Sequence, residues 1–484
     1  MPQQMLKFVG LGGRMPDKRE AGERRRDFDE IYGEYSDERA AEQSARCSQC
    51  GIPYCQIHCP VSNNIPDWLK LTAEGRLEEA YEVSAATNNM PEVCGRICPQ
   101  DRLCEGNCVL EQAGHGTVTI GAVEKYITDT AFERGWVRPP TPAREIGRSV
   151  GIIGAGPGGL AAADQLRRRG YEIHVYDRYD RVGGLLVYGI PNFKLEKDIV
   201  VRRADLLEQG GIVYHLNCEV GRDVALAELR QRHDAVLIAT GVYKARDMMM
   251  PGSGLKGLFP AMEYLTASNR KGLGDRVPLF DDGTLDAAGR NVVVIGGGDT
   301  AMDCVRTAVR QGAKSVKCLY RRDHENMPGS RREVMHAEEE GVEFVWLAAP
   351  EACLGNGHVT AVRAQRIHLG VPDASGRQTP EPIEGSSFNV KADLVIKALG
   401  FDPEDLPTLF GEKDLATTRW STLKVNFRTM MTSLDGVFAV GDIVRGASLV
   451  VWAIHDGRIA ADAIHAWCEK RVRTGARRKV AAAG

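Results

Sequence analysis

The sequence has no long apolar stretch, no strong excess of charge of one sign and, in its first residues, no pattern typical of a secretory leader. Its 484 residues carry a net charge of −3 at pH 7, so nothing favours binding to nucleic acid or to an anionic membrane surface. No apolar run approaches the roughly 20 residues that a membrane-spanning helix needs. The first residues, MPQQMLKFVGLGG, lack the basic and then apolar order of a signal peptide. We therefore expect a cytoplasmic protein with no membrane and no nucleic-acid partner.

Cysteine is the residue type that departs from an ordinary composition. Apolar residues make up 43% of the chain and charged residues 26%, as in a typical globular protein. Eight of the 13 cysteines lie between Cys47 and Cys108. Disulfides would require an oxidising compartment, so the cluster indicates metal or redox chemistry. The other five cysteines are most simply buried small apolar residues.

The length predicts about two to four domains, and the pattern of the chain suggests where they lie. Residues 1–37, the N-terminal arm, are highly charged and indicate either a solvated arm or a docking arm for a partner subunit. Residues 38–136, the cysteine domain, have helical spacing and little apolar material, so metal centres are expected to stabilise them. Strand and helix then alternate, as in a doubly wound parallel sheet. The remaining segments are a proline-rich linker (137–147), two α/β domains (148–250 with 401–470, and 251–400) and a frayed tail (471–484). Glycine-rich turns at residues 154–159 and 296–301 predict that these domains are a first and a second nucleotide domain.

Helices are predicted where apolar residues have helical spacing. In the cysteine domain we expect Asp37 to cap the first helix. The predicted helices are 38–46, 66–74, 77–86, 122–132, 160–169 and 449–467. Residues 342–370 alternate as antiparallel strands do, with a hairpin turn at residues 355–357.

The first nucleotide-binding pattern begins at residues 149–153, which are predicted to form a buried parallel strand. Gly154, Gly156 and Gly159 follow it and fit G-x-G-x-x-G. In that pattern the first glycine allows a tight turn, the second lets a pyrophosphate approach the backbone, and the third lets helix and strand pack closely. The helix N-terminus favours the phosphate charge. The next strand ends in Asp177, about 20 residues on, where such folds bind a ribose hydroxyl.

A second pattern of the same kind follows the strand predicted at residues 291–295. Gly296 and Gly298 form its turn, and Ala301 stands at the last position as an accepted variant. Arg321 and Arg322 follow its second strand where the first unit has an acid. Because arginine matches a 2′-phosphate and a carboxylate would repel it, this unit is predicted to bind NADP(H) rather than NAD(H). Surface arginines on a loop are the alternative.

Two strands that end in glycine, at Gly241 and Gly400, are predicted to be the points where the chain leaves and re-enters the first nucleotide domain. A third strand ends late in the chain at Gly441 and Asp442.

The clustered cysteines follow two spacings, C-x2-C-x4-C-x3-C-P and C-x3-C-x5-C-x3-C. The ending x3-C-P resembles two-cluster bacterial ferredoxins, in which the fourth cysteine binds the other cluster. Carried over, one group would be Cys47, Cys50, Cys55 and Cys108, and the other would be Cys59, Cys94, Cys98 and Cys104. Eight thiolates then serve two [4Fe–4S] clusters. Structural zinc is the alternative, although zinc sites favour paired short C-x2-4-C knuckles.

With these elements in view, the chain resembles the small (β) subunits of bacterial NADPH-dependent glutamate synthase over nearly its whole length. The same module resembles the N-terminal part of dihydropyrimidine dehydrogenase and some ferredoxin:NADP oxidoreductase subunits. The resemblance rests on SQCGIPYCQIHCP, CGRICPQDRLCEGNC, GIIGAGPGGLAAA, DRVGGLLVYGIPNFKL, VVVIGGGDTAMDC, YRRD with MPGS, and VFAVGDIVRGASLVVWAIHDGRIAA.

The resemblance implies an α/β fold with two Rossmann-like domains, one for FAD and an inserted one for NADPH, after a small α-helical domain with two [4Fe–4S] clusters. The residues implied to bind FAD are Gly154, Gly156, Pro157, Gly158, Gly159, Asp177, Gly184, Leu185, Gly441 and Asp442. Asp442 would contact the ribityl-phosphate region, and the helix after Ser448 would point its N-terminus at the isoalloxazine. The residues implied to bind NADPH are Gly296, Gly298, Asp299, Thr300, Ala301, Arg321 and Arg322.

The implied function is oxidation of NADPH, with electrons passing through FAD and the clusters. Their acceptor would be a large (α) partner subunit that carries FMN and makes L-glutamate from L-glutamine and 2-oxoglutarate, in a hetero-oligomer. No catalytic side chain is predicted, because the cofactors supply the chemistry of hydride transfer. Two alternatives stay open: the electron-input subunit of another NADPH:ferredoxin-type or pyrimidine-reducing oxidoreductase, and a zinc-stabilised scaffold with a vestigial dinucleotide fold.

Two further absences bear on mechanism. Residues 183–191 contain no cysteine pair beside the expected flavin site, which excludes a disulfide-reductase mechanism. The chain begins with Met1 and Pro2 rather than a nucleophilic cysteine, and its domains leave no room for an FMN barrel. Glutamine hydrolysis and glutamate formation are therefore expected on another chain.

Overall fold

The computed structural model describes residues 3–373 and 378–473. Two five-stranded parallel sheets follow a helical region that holds the eight clustered cysteines. The predicted α/β fold class is confirmed. Among the described helices, none has the length and apolar character to cross a membrane.

The N-terminal arm packs against two domains, so the prediction of a solvated arm is wrong. Its short helix α1 (Ala21–Arg24) ends at a buried arginine. Arg24 pairs with Glu340 of the second nucleotide domain at 3.3 Å, and Glu30 pairs with Arg96 of the cysteine domain at 2.5 Å. Some charges of the arm are therefore neutralised by distant partners, 316 positions along the chain for Arg24 and 321 for Lys18.

The cysteine domain is a group of short helices around a fully buried tryptophan, Trp68. Its first helix is capped by Ser36, whose side chain accepts a hydrogen bond from the Arg39 backbone N–H at 3.2 Å. The prediction that Asp37 forms this cap is wrong by one residue, because serine and aspartate are both favoured N-caps. The helices are α2 (Asp37–Ser44), α3 (Tyr54–Ile57), α4 (Ile65–Ala73), α5 (Leu77–Thr87), α6 (Pro91–Ile97), α7 (Val109–Gln112) and α8 (Ile120–Glu133).

Residues 137–147, all of them described, form neither helix nor strand. The first half of the first nucleotide domain then alternates strand and helix. Its elements are β1 (Ser149–Ile153), α9 (Pro157–Arg168), β2 (Glu172–Tyr176), α10 (Leu185–Tyr188), α11 (Lys197–Gln209), β3 (Ile212–His215), α12 (Leu226–Arg232) and β4 (Ala235–Ile238). Strands β1 and β4 are buried almost throughout, as parallel strands covered on both faces should be.

The second nucleotide domain contains a complete parallel sheet and an antiparallel extension. Its elements, with the short strands that flank it, are β5 (Lys244–Ala245), β6 (Leu258–Pro260), α13 (Ala261–Gly272), α14 (Pro278–Asp281), β7 (Asn291–Ile295), α15 (Asp299–Arg310), β8 (Ser315–Tyr320), α16 (Arg331–Glu339), β9 (Glu343–Trp346), β10 (Ala348–Asn356), β11 (His358–Pro372), β12 (Gln378–Pro382), β13 (Phe388–Lys391), β14 (Leu394–Lys397) and β15 (Phe401–Asp402). The parallel sheet has the order β6-β14-β7-β8-β9.

The prediction of antiparallel strands over 342–370 is correct for only part of that segment. β10 and β11 form the hairpin, in which Asn356 pairs with His358 across Gly357. β9 instead pairs in parallel with β8. An alternating apolar pattern is expected of any half-buried edge strand, whether it pairs in parallel or antiparallel. The sequence pattern therefore could not distinguish the parallel β9 from the antiparallel β10 and β11.

The chain crosses between the two nucleotide domains at β5 and β15, which pair with each other antiparallel. The remaining elements are α17 (Leu406–Leu409), β16 (Val437–Ala439), α18 (Asp442–Arg445) and α19 (Val450–Arg473). β16 joins the first sheet beside β4, giving the order β16-β4-β1-β2-β3. α19 extends beyond the predicted helix end, and the part of the predicted frayed tail at 474–484 lies outside the described residues.

Candidate functional site

The three glycines of the first loop have three different surroundings. Gly154 has φ +109°, and a Cβ there would overlap the Ala239 carbonyl oxygen. A Cβ on Gly159 would overlap the Gly154 carbonyl oxygen. At Gly156, no atom of the described residues lies within 4 Å of the Cβ position. Gly156 therefore leaves an open cradle at the N-terminus of α9, the place that a pyrophosphate requires.

The beginning of α9 is in contact with the C-terminal helix. Pro157 opens α9, which suits a position that has no intrahelical N–H partner. A Cβ on the next residue, Gly158, would lie 3.3 Å from the Ala453 carbonyl oxygen in α19. The first glycine loop and α19, the last helix of the described residues, therefore lie side by side.

Asp177 is buried at the end of β2 beside this loop. Its Oδ2 accepts a hydrogen bond from the Ala155 N–H at 2.6 Å and its Oδ1 accepts one from the Tyr179 N–H at 2.9 Å. Burial raises the pKa of its carboxyl group. The hydroxyl of Thr240 lines the same cavity, is buried, and has no hydrogen-bond partner among the described residues. A carboxylate with spare lone pairs and an orphan hydroxyl fit the hydroxyl groups of a ribose.

Two further segments, around Gly184 and Gly441, lie beside the first glycine loop. Gly184 has φ +54°, and a Cβ there would lie 3.0 Å from the Gly156 Cα. Gly441, with φ +72°, precedes α18. The Oδ1 of Asp442 accepts a hydrogen bond from the Ser448 hydroxyl at 2.7 Å. Burial raises the pKa of Asp442 to about 6, so a donor from a bound ligand would favour its charged form.

The second glycine loop repeats the geometry of the first. Gly296 has φ +142°, and a Cβ there would overlap the Ala398 carbonyl oxygen. Around Gly298, again, nothing in the described part of the chain lies within 4 Å of the Cβ position. Ala301 occupies the third position and is completely buried. The open place at the second glycine is therefore present in both domains.

Asp299 and Thr300 begin α15, directly after this loop. The Oδ1 of Asp299 accepts a hydrogen bond from the Ser330 N–H at 2.8 Å. That contact ties the loop to the segment before α16.

The two arginines after β8 differ in their surroundings. Arg321 is exposed. Arg322 is buried, and its Nε donates a hydrogen bond to the Gln378 carbonyl at 3.3 Å. Arg321 is therefore the one of the pair whose charge faces solvent.

The first group of cysteines lines one small cavity. Cys47, Cys50, Cys55 and Cys108 all contribute to its wall. Burial raises the pKa of Cys55 to about 12, and the neighbouring Cys47 and Cys108 raise it further. A thiol that resists ionisation this strongly, as Cys55 does, needs a positively charged centre to become a thiolate.

The second group is formed by the other four cysteines. A hydrogen bond with Cys94, together with burial, raises the pKa of Cys98 well above its usual value. Burial raises the pKa of Cys59 to about 12, with a smaller contribution from Cys94. Burial likewise raises the pKa of Cys104, and Cys59 adds to it. Cys59, Cys94, Cys98 and Cys104 therefore lie near one another, with Cys55 of the first group also close to Cys104.

Zinc and an iron–sulfur cluster differ in how closely they bring their sulfur ligands together. Within residues 3–373 and 378–473, no three Cys, His, Asp or Glu side chains converge as one metal ion would require. Tetrahedral zinc holds each sulfur about 2.3 Å from one point, whereas a four-iron cube holds its ligands farther apart.

A central cavity of about 270 Å³ lies where all parts of the chain meet. Residues from the arm, the cysteine domain and both nucleotide domains line it, among them Tyr32, Cys98, Leu185, Val450, Asp299 and Arg332. The N-terminus of α19 opens onto it. Groups bound by the three domains would face one another in this cavity.

Some residues around these cavities were not predicted. Tyr32 in the arm meets the buried His336 of α16, with the hydroxyl 3.0 Å from Nε2. Arg178 pairs with Glu404 at 2.9 Å and lies over the Tyr243 ring. Each pair joins residues far apart in the chain, so no local spacing could have indicated it.

Comparison with known proteins follows the same division of the chain. Residues 24–136 match the family described as dihydropyrimidine dehydrogenase domain II, 4Fe-4S cluster, and residues 148–457 match pyridine nucleotide-disulphide oxidoreductase. The glutamate synthase [NADPH] small chain of Azospirillum brasilense is 71% identical over 469 residues, 97% of each chain. The chain of the same name from Escherichia coli K12 is 47% identical over 475 residues, 97% of this chain and 100% of that one. The structure of Mycobacterium tuberculosis FprA in complex with NADPH shares the fold, with 19% identity and a TM-score of 0.57 over 68% of this chain and 86% of that chain.

The fold and the site define a pyridine-nucleotide oxidoreductase with an iron–sulfur domain ahead of its nucleotide domains. The chain belongs to the glutamate synthase [NADPH] small chain family. The family and enzyme class that the motifs indicated are confirmed. The second family is also named for disulphide chemistry, but residues 183–191 of this chain contain no cysteine.

Proposed function

We propose that this chain oxidises NADPH and delivers its electrons, through FAD and two [4Fe–4S] clusters, to a larger partner chain. One observation carries the proposal: the central cavity is lined by both nucleotide domains and by Cys94 and Cys98 of the cysteine domain. A hydride donor, a flavin and a cluster can be close together only where these three domains meet. We propose the cytoplasm as the compartment, because clustered thiols suit a reducing environment.

FAD would be held by the first nucleotide domain, residues 148–250 and 401–470. The open cradle at Gly156 and the α9 N-terminus support the pyrophosphate position, and the orphan Thr240 hydroxyl supports an adenosine position beside Asp177. The α19 N-terminus would face the ring system. The residues proposed to bind FAD are Gly154, Gly156, Pro157, Gly158, Gly159, Asp177, Gly184, Leu185, Gly441 and Asp442.

NADPH would be held by the second nucleotide domain, residues 251–400. The open cradle at Gly298 supports the pyrophosphate position. The exposed side chain of Arg321 supports recognition of the 2′-phosphate. Arg322 would stabilise the loop after β8 through its hydrogen bond to the Gln378 carbonyl. The residues proposed to bind NADPH are Gly296, Gly298, Asp299, Thr300, Ala301, Arg321 and Arg322.

The eight cysteines would hold two [4Fe–4S] clusters in interleaved groups. The shared cavity supports the assignment of Cys47, Cys50, Cys55 and Cys108 to one cluster. The mutual pKa effects support the assignment of Cys59, Cys94, Cys98 and Cys104 to the other. The second group would be the nearer to the flavin, since Cys94 and Cys98 line the central cavity.

Bound FAD would supply two-electron acceptance from NADPH and one-electron release to the clusters. The side chains of this chain would orient the cofactors and exclude water from the cavity between them. We propose no acid–base residue, because the glycine cradles, the helix N-termini and the thiolates account for positioning and charge.

The partner would be a large glutamate synthase chain that carries FMN and makes L-glutamate from L-glutamine and 2-oxoglutarate, in a hetero-oligomer. An apolar patch beside the first cysteine group supports a docking surface there. Ile52, Tyr54 and Ile57 are 62%, 47% and 58% exposed, and Cys55 lies in the same short helix. Large exposed apolar residues grouped in this way are typical of protein interfaces.

The partner is tested by anaerobic purification of Ile57→Asp from the native source. We expect the large chain to be lost while flavin and iron contents stay unchanged. The matched control is Val213→Asp, since Val213 is 42% exposed on the edge strand β3 and should keep the large chain. Copurification with Ile57→Asp, or a colourless protein with zinc and no iron, would contradict the proposal.

The electron path is tested by Cys55→Ser with Cys218→Ser as its control. Cys55→Ser should leave reduction of FAD by NADPH intact and block transfer to the partner, while Cys218→Ser should behave as wild type. Loss of bound flavin in Cys55→Ser would show that the cysteine domain is needed for folding and not only for electron exit.

A further inference from the structure

Four residues before and within the first turn of α16, Gly329 to Arg332, connect the second glycine loop to the cysteine domain. We call residues 329–332 the bridge segment. One side of it contacts the nucleotide loop and the other side contacts residues 100–105, which lie between Cys98 and Cys108 in the chain.

The contacts with the nucleotide loop are made by the backbone. The Gly329 N–H donates a hydrogen bond to the Gly297 carbonyl at 2.9 Å, and the Ser330 N–H donates one to Asp299 Oδ1 at 2.8 Å. Gly297 and Asp299 both belong to the loop that would hold the pyrophosphate. These two hydrogen bonds join the bridge segment directly to the loop.

On the opposite side, Asp101 accepts two hydrogen bonds at the beginning of α16. Its Oδ1 accepts one from the Ser330 hydroxyl at 3.0 Å, and its Oδ2 accepts one from the Arg331 N–H at 3.1 Å. Arg102 adds a hydrogen bond to the Gly329 carbonyl. A carboxylate at a helix N-terminus is stabilised both by the free N–H groups and by the helix dipole.

Arg332 extends the connection toward the second cysteine group. It donates to Gln100 Oε1 at 3.0 Å and to the buried Glu105 Oε2 at 2.6 Å. Gln100 in turn donates to the Cys94 carbonyl at 3.3 Å, and Glu105 Oε1 accepts from the Gly121 N–H at 3.0 Å. The guanidinium therefore holds Gln100, which contacts the backbone of Cys94, and Glu105, which directly follows Cys104 in the chain.

We propose that Asp101 and Arg332 are positioning residues that couple nucleotide binding in the second domain to the electron affinity of the second cysteine group. This inference rests on the proposed function, because it requires a cluster on that group. Coupling between two sites is reciprocal: if nucleotide binding changes the reduction potential, reduction changes the nucleotide affinity by the corresponding factor. Few residues separate the two sites, so we expect the affinity to differ at least fivefold between the oxidised and reduced states.

The test is an EPR-monitored redox titration of the holoenzyme with and without saturating 2′,5′-ADP. This probe carries the adenosine and 2′-phosphate of NADPH but cannot exchange hydride. A fivefold coupling corresponds to a shift of about 41 mV, from 59 mV per tenfold for a one-electron couple. The shift should disappear in Asp101→Asn and in Arg332→Gln.

The matched control is Lys18→Gln, which removes an ion pair with Glu339 (2.7 Å) at the opposite end of α16 and should keep the full shift. Arg332→Lys, which keeps the charge, should restore part of it and serves as the test variant if Arg332→Gln loses iron. A wild-type holoenzyme that shows no shift overturns the inference, and so does a full shift in the bridge variants. If a protein that gives either of these results still binds FAD and iron and is reduced by NADPH, the proposed function stands. A protein without iron refutes the proposed function instead.

Discussion

Replacing Gly156 by alanine should remove FAD and leave the folded protein intact. The backbone at Gly156 has φ −79° and ψ −179°, which alanine adopts without strain. The added methyl group meets no atom of the described residues within 4 Å. Alanine also restricts the unfolded chain, so the apoprotein should be unchanged or more stable by about 0.4–1 kcal/mol.

The expected loss of affinity follows from the position of the methyl group. It would occupy the cradle in which the pyrophosphate approaches the backbone, and would hold the phosphate oxygens away from the N–H groups of α9. A hydrogen bond to a charged group is worth about 1.5–3 kcal/mol, so each lost bond should weaken FAD binding about 10- to 150-fold.

Flavin content per chain and the thermal unfolding of the apoprotein measure the two effects separately. Gly298→Ala is the matched variant in the second domain, with φ −89°; it should keep FAD and lose NADPH affinity by a similar factor. Gly159→Ala should unfold the domain, because its methyl group would overlap the Gly154 carbonyl oxygen. Full flavin content in Gly156→Ala, or a destabilised apoprotein, would refute the reasoning.

Three other results are expected. Arg321→Ala should raise the KM for NADPH at least tenfold and leave the KM for NADH unchanged. Arg322→Ala should also lower the melting temperature, because its Nε donates to a backbone carbonyl. Equal losses for both nucleotides would show that neither residue recognises the 2′-phosphate. Arg24→Met should cost about 1–3 kcal/mol in chemical denaturation, because the buried Glu340 loses one of its three arginine partners and keeps Arg306 and Arg310. Lys18→Met, at a more exposed pair, should cost less than about 1 kcal/mol. Burial lowers the pKa of His233 from 6.5 to about 4, so the neutral ring stabilises the folded protein above pH 6.5 and this stabilisation is lost as the pH falls toward 4. In His233→Gln, the decrease in the free energy of unfolding between pH 6.5 and pH 4 should be smaller by up to about 3 kcal/mol. An unchanged pH dependence would count against this role of His233.

Local spacing predicted those parts of the molecule that depend on a few neighbouring residues. The roles of Gly154, Gly156 and Gly159 follow from the geometry of a strand, a turn and a helix, and the structure has that geometry. The same holds for the strand at Ser149–Ile153 and for the second loop at Gly296. Their chemistry as binding residues stays a prediction.

The contacts between distant segments could not be predicted in this way. The arm looks like a solvated segment in the sequence because its charges have no partner nearby, whereas Glu30 meets Arg96 and Lys125 in space. Strand β9 looked antiparallel because alternation carries no information about direction. The bridge segment was visible only as MPGS, and its contacts with Asp101 depend on how two domains pack.

The distance along the chain between Arg24 and Glu340 has a consequence for biosynthesis. The two residues are 316 positions apart, and a ribosome adding about 5–20 residues per second needs roughly 15 to 60 s to reach the second after the first. During that time the arm and its partners in the cysteine domain have been made, but its partners in the second nucleotide domain have not. A strongly charged arm stays hydrated while it waits, whereas an apolar one would expose an aggregation-prone surface. The contact between Arg24 and Glu340 can therefore form only after α16 of the second nucleotide domain has been made.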